Sequence, residues 1–257
     1  MKIFQELKSS KYYSFRVIIE KIIDNSLGLF LFQYQKKENM FNWFYNCLKY
    51  QHDNPGFSPQ YNYYEFGVCG GGSMNIYILA LKKFCKDYNQ DINKYHIFGF
   101  DSFAGLPEAQ EEDARNDWSL GVFEVKKDVV LAKIKETGFP LANVHLVEGF
   151  FEKSLTDNLK QDCRKFPPAI VNMDADYYSS TMTAFLWLAD FLPSGSFFRF
   201  DDIWAFYGHP EKGELKAIND FNKLEKGYLT SFPIFGLESY SYVFCRRKFE
   251  YINKSSH

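Results

Sequence analysis

Ala169 to Trp204 reads AIVNMDADYYSSTMTAFLWLADFLPSGSFFRFDDIW. It opens on a short apolar run, Ala169 to Met173, that ends in Asp174-Ala175-Asp176. A helical segment over roughly Ser179 to Leu192 follows. Pro193-Ser194-Gly195 breaks it, and a second apolar run, Ser196 to Phe200, ends in Asp201-Asp202. Strand, crossover helix and strand make a parallel pair whose carboxyl ends share one edge of the sheet. Four aspartates are thereby expected at the edge where open α/β sheets bind their ligands. Carboxylates so crowded repel one another and raise each other's pKa unless a cation neutralises them. The pattern predicts a divalent-metal site with a spare carboxylate for proton transfer; the plainer alternative is two solvated strand ends.

The 257 residues suffice for one large domain, or one domain with a helical extension. A 46% hydrophobic fraction can fill a core, and the net charge of -2 is dispersed, without the basic stripe a nucleic-acid partner would require. Cys47, Cys69, Cys85, Cys163 and Cys245 are odd in number and form no CxxC pair, which predicts free thiols in a reducing cytoplasm. The first sixteen residues lack the apolar core of a signal peptide. Val17 to Phe32 is interrupted by Glu20, Lys21 and Asp24, so stable membrane insertion is not expected.

Residues 1–60 read as helical, with apolar faces such as Phe41, Phe44, Tyr45 and Leu48, until Asn54-Pro55-Gly56 breaks the chain. They suggest a helical cap, a substrate region or an oligomer contact ahead of a main domain at 61–250, and a homo-oligomer is expected. Tyr61 to Phe66 is a strand candidate. It runs into Gly67-Val68-Cys69-Gly70-Gly71-Gly72-Ser73, and Met74 to Phe84 reads as a helix. Strand, glycine-rich turn and helix form a cofactor cradle, since glycine lets backbone approach a ligand closely. The dinucleotide fingerprint fails, because Asn75 stands where its third glycine would fall. The spacing Glu65-x-Gly67-x-x-x-Gly71-x-Ser73 suits instead a cofactor with an amino-acid tail.

Tyr95 to Phe100 is the second strand, and Asp101 at its end is placed to accept from ribose hydroxyls. Residues 104–122 form a long polar loop with Glu111, Glu112, Asp113 and Asp117, of the kind that makes lids; Trp118 in it could pack on a ligand. Val125 to Thr137 reads as a helix, His145 to Val147 as a strand, Glu152 to Leu159 as helical and Gly213 to Lys223 as a helix. His209 just past the aspartates reads as a surface histidine. Tyr228 to Phe235 and Ser239 to Arg246 alternate apolar and polar residues and predict a terminal antiparallel pair.

Taken together these blocks resemble the macrocin O-methyltransferase type of class I S-adenosylmethionine-dependent enzyme. The resemblance rests on Glu65-x-Gly67-x-x-x-Gly71-x-Ser73, Gly99-Phe100-Asp101-Ser102-Phe103-x-Gly105-Leu106-Pro107-Glu108 and Leu146-Val147-x-Gly149-x-Phe151-Glu152-x-x-Leu155. It continues in Asp174-x-Asp176-x-Tyr178-x-Ser180-Thr181 and Asp201-Asp202. It implies an α/β, doubly wound, mostly parallel seven-stranded Rossmann-like sheet with an antiparallel C-terminal strand, preceded by N-terminal helices. It implies Mg²⁺-dependent methyl transfer to a hydroxyl, typically on a sugar of a glycan or natural product. Asp174, Asp201 and Asp202 would hold the metal and Asp176 would be general base. Glu65, Gly67, Gly71 and Ser73 would line the methionine end of the cofactor. Asp101 would hold the ribose with Ser102 beside it, and Gly149 and Phe150 would lie near the adenine. Ala175, Tyr177 and Arg199 depart from the family pattern, Arg199 because the strand is usually apolar there.

Three alternatives compete. A glycosyltransferase would use Asp174-Ala175-Asp176 as its D-x-D motif but leaves the glycine turn and Asp101 unused. A nicotinamide oxidoreductase is disfavoured by the broken fingerprint. A non-catalytic cofactor-binding protein would keep the pocket alone.

Overall fold

A computed structural model describes residues 36–54, 62–110, 113, 119–232 and 240–247. The expectations for Val17 to Phe32, Glu111, Glu112, Asp117 and Trp118 lie outside these residues. One compact unit is Met40–His257; of the unit Met1–Asn39 only residues 36–39 are described.

The elements are helix α1 (36–53), β1 (Asn62–Phe66), α2 (Gly72–Asp87), β2 (Ile97–Asp101), α3 (Lys127–Glu136), β3 (Val144–Glu148), α4 (Phe151–Ser154) and α5 (Asp157–Cys163). They continue with β4 (Pro168–Met173), α6 (Tyr178–Leu188), β5 (Phe197–Phe200), α7 (Gly213–Lys223), β6 (Tyr228–Ser231) and β7 (Tyr240–Cys245). The seven strands lie in the order β3-β2-β1-β4-β5-β7-β6. The first five are parallel, and β7 pairs antiparallel with both β5 and β6. The chain turns back between β1 and β4, which leaves a crevice at their carboxyl ends.

Alternation along each strand sends side chains to two cores. Tyr64, Phe66, Phe98, Phe100, Val171, Met173, Phe198 and Phe200 pack with α6 and α7. Tyr63, Ile97, Ile170 and Phe197 pack on the other face with residues of α1, α2 and α3. The buried Gln51 of α1 donates to the carbonyls of Ala169 (2.9 Å) and Gly195 (3.3 Å), so that helix is tied to the sheet by hydrogen bonds as well as packing.

Two readings are corrected by local chemistry. The helix after Asp176 ends at Leu188, with a turn before Pro193, rather than running to Leu192. Glu152 to Leu159 is interrupted by Leu155, and Thr156 restarts a helix as its N-cap by accepting the Leu159 N–H at 3.2 Å. Among the described residues no helix is long and apolar enough to cross a membrane.

Candidate active site

The carboxyl ends of β1, β2, β4 and β5 and the start of β3's following loop enclose a cleft of ≈ 330 Å³. Gly67, Asp101, Ser102, Phe150, Asp174, Asp176, Asp201 and Asp202 line it, together with residues the sequence did not single out for a site, among them Cys69, Leu106 and Phe123. Glu65, Gly71, Ser73 and Gly149 are not among its lining residues.

Gly67 is a steric necessity. Its φ is +85°, and a Cβ there would fall 1.8 Å from the carbonyl oxygen of Asp174. The Asp174 N–H donates to Phe66 O at 2.9 Å, so the tip of β1 is pressed against the backbone of the first aspartate. Gly105 (φ +80°) has the same role at the neck of the polar loop. A Cβ would meet Gly121 O at 2.4 Å, and Leu106 and Val122 close the neck with Leu106 N–H to Val122 O at 2.9 Å.

Asp101 is where the sequence put it, at the tip of β2, but its carboxylate is already at work. Oδ2 accepts the N–H groups of Val68 (2.6 Å) and Cys69 (2.8 Å), and Oδ1 that of Phe103 (2.6 Å). It clamps the glycine turn to β2 and leaves about one of a carboxylate's four lone-pair sites rather than two free oxygens. Ser102 donates to Gly105 O at 2.7 Å and accepts from Ala104 N–H, bracing the same corner.

Glu65 is fully buried. It accepts hydrogen bonds from Tyr63 (2.9 Å), Asn172 (3.2 Å) and Ser73, the second residue of α2. Burial lifts its pKa to about 7 against the pull of those donors and of Arg199.

The four aspartates do converge. One carboxylate oxygen from each of Asp174, Asp201 and Asp202 lies within 4.8 Å of the other two. Asp174 is held well above the usual carboxylate range by burial and then by Asp201, with Arg199 opposing. Asp176 is lifted to about 8 by burial, by the charge of Asp202 and by a hydrogen bond with it. Its φ of +59° is a left-handed conformation that Asp and Asn tolerate better than other side chains.

Two acids that carry no sequence signal for this site complete it. Glu214, in the first turn of α7, is fully buried and accepts the Asp202 N–H at 3.0 Å. Its second oxygen has no hydrogen-bond partner among the described residues, and burial with Asp202 and Asp174 raises its pKa well above normal. Asp113 reaches from the polar loop to the N-terminus of α6, accepting from the Tyr178 N–H, the Ser179 N–H (3.3 Å) and the Ser179 hydroxyl (3.2 Å). His209 is exposed and does not line the cleft.

This strand order, with a glycine turn after β1 and acids at the tips of β2, β4 and β5, defines a class I S-adenosylmethionine-dependent methyltransferase. The chain belongs to the macrocin O-methyltransferase family: the model described as Macrocin-O-methyltransferase (TylF) matches residues 60–228. Its activity is therefore transfer of a methyl group from S-adenosylmethionine to a hydroxyl. The glycosyltransferase and oxidoreductase alternatives fall with that assignment. Solved structures share the fold. CalS11, a calicheamicin methyltransferase, is similar with 22% identity over 96% of this chain and 90% of its own, at a TM-score of 0.62. An apo structure of CalS11, described as a TDP-rhamnose 3'-O-methyltransferase, gives 21%, 96%, 92% and 0.54. The O-methyltransferase NovP gives 19% identity over 82% of this chain and 80% of its own, with a TM-score of 0.57. No curated protein matches the sequence.

Proposed function

We propose that this enzyme methylates a sugar hydroxyl with the help of a divalent cation held by Asp174, Asp201 and Asp202, and that Asp176 is its general base. The observation that carries the reading is the meeting of those three carboxylates on the wall of the cleft that Gly67 and Asp101 also line.

The residues fit a cation. The donors are all oxygens, which suits a hard ion such as Mg²⁺ or Mn²⁺. The Arg199 guanidinium opposes the raised pKa of Asp174 only in part, so the crowded acids leave room for a further positive charge, and Glu214 has a buried oxygen without a hydrogen bond among the described residues. When bound, the cation would supply charge neutralisation and polarisation of an acceptor hydroxyl.

The methyl donor supplies an activated methyl group, so the chain's task is to orient the acceptor and remove its proton. Asp176 lines the cleft beside the metal carboxylates, and its raised pKa brings it near the range where a general base is effective. Gly67 and the turn held by Asp101 form the cradle for the donor, with Glu65, Gly71 and Ser73 ordering it from beneath. Asp101 keeps an acceptor site for a ribose hydroxyl and Ser102 stands beside it. Gly149 and Phe150 follow β3 on the adenine side, and Phe150, Leu106 and Phe123 are apolar lining residues suited to a purine.

A sugar is favoured because vicinal hydroxyls can chelate a dication, and because CalS11 is described as acting on TDP-rhamnose. The test is methyl uptake from labelled S-adenosylmethionine across nucleotide sugars, oligosaccharides and phenols, with and without a chelator. Chelator-sensitive uptake by sugars is expected. Uptake by phenols alone would remove the sugar assignment, and full activity under chelation would remove the cation.

A further inference from the structure

Arg199 is a charged residue in the middle of β5, and it is 1% exposed. Strand register explains why it is tolerated. Glu65 pairs with Asn172 across β1 and β4, and Asn172 pairs with Arg199 across β4 and β5. The three side chains therefore stand in one row on one face of the sheet.

The row has a fixed direction. One guanidinium nitrogen of Arg199 donates to Asn172 Oδ1 at 2.8 Å, and another donates to Asp201. Arginine is donor-only, so the amide oxygen of Asn172 must face it and the amide nitrogen must face away. That nitrogen donates to Glu65 Oε1 at 3.2 Å, the same oxygen that receives the Ser73 hydroxyl. Ser73 is in the first turn of α2, just after the glycine turn, and Asp201 belongs to the acid cluster.

We propose that Arg199 is a positioning residue that sets two subsites at once: through Asp201 the cation site, and through Asn172 and Glu65 the Ser73 end of the methyl-donor cradle. The inference rests on the proposed assignment of those two subsites. A planar guanidinium can serve both acceptors from fixed directions, whereas a lysine ammonium is a single point that cannot span them. Removing the guanidinium takes that donor from the buried Asn172 amide oxygen and from the half-buried Asp201 carboxylate, so Asn172 has reason to reorient and to release Glu65.

The test is isothermal titration of the full-length protein with Mn²⁺ and, separately, with S-adenosylhomocysteine, for wild type, R199M, R199K, D201N and S73A. Melting curves confirm folding; R199K keeps the buried charge and decides the matter if R199M does not fold. Both Arg199 variants are expected to weaken both ligands, R199M by about tenfold or more. D201N should weaken Mn²⁺ alone and S73A S-adenosylhomocysteine alone. Tighter Mn²⁺ binding by R199M would mean that Arg199 merely competes with the cation, and would overturn the proposal. So would a loss confined to one ligand, or wild-type affinities for both. A wild-type protein that bound neither ligand would instead defeat the subsite assignment, and this inference with it.

Discussion

The backbone N–H of Asp202 donates to the carboxylate of Glu214 at 3.0 Å, and the other Glu214 oxygen is buried without a hydrogen bond among the described residues. Glu214 thus fixes an aspartate of the proposed cation site from outside the group of three. Outer partners of this kind are worth about 10–100-fold in metal affinity. E214A should lose that much Mn²⁺ affinity, while E214Q keeps an oxygen acceptor for the N–H and recovers part of it. Competition against a fluorescent chelator measures both; equal affinities for wild type and E214A would deny Glu214 the role.

Asp176 occupies left-handed backbone at φ +59°, so the choice of substitution matters. Asn tolerates that conformation and keeps the side chain's shape while losing its basicity. D176N should keep S-adenosylhomocysteine affinity and lose about 10²–10⁴ in kcat, the range general-base catalysis supplies. Single-turnover kinetics with a confirmed acceptor would reveal it, and a D176N rate near wild type would exclude Asp176 as base.

These sites differ in how far the sequence exposes them. Asp174, Asp176, Asp201 and Asp202 are legible because each pair ends an apolar run, and the crossover between the runs places both ends together. Gly67 and Asp101 are legible from the strand-turn-helix order. Glu214 and Asp113 are not: each finds its partner through a backbone N–H in a separate element, 12 and 65 residues away, and an acid in a helix's first turn or a polar loop is ordinary. Arg199 is intermediate. A charge inside an apolar strand announces that a partner must exist, but only the register of β1, β4 and β5 identifies Asn172. The clamp formed by Asp101 was hidden for the same reason, since three backbone donors leave no trace in residue identity.

Asp113 caps α6 two residues beyond Asp176, so it should support the local backbone of the proposed base as well as the helix. D113A should cost about 0.5–2 kcal/mol, as loss of an N-cap does. Urea unfolding followed by circular dichroism would measure it. Stability indistinguishable from wild type would mean that the cap is not formed in solution.

Glu65 should give stability a distinct pH dependence. Its folded pKa is raised from the ordinary 4.5 to about 7, chiefly by burial. The native state therefore holds a proton that the unfolded chain has released, and stability falls as pH rises through that window. At 1.36 kcal/mol per pKa unit the loss is ~3 kcal/mol, and E65Q cannot titrate. The stability of wild type relative to E65Q should accordingly decline between pH 4.5 and 7.5. A difference that stays constant, or grows with pH, would contradict the burial effect.

The most direct measurement is anomalous diffraction at the manganese edge from crystals of the wild-type enzyme soaked in Mn²⁺. A peak is expected within coordination distance of Asp174, Asp201 and Asp202, and it should be lost in crystals of D201N. A saturating soak that left no density among those three carboxylates, or placed the ion elsewhere in the cleft, would contradict it.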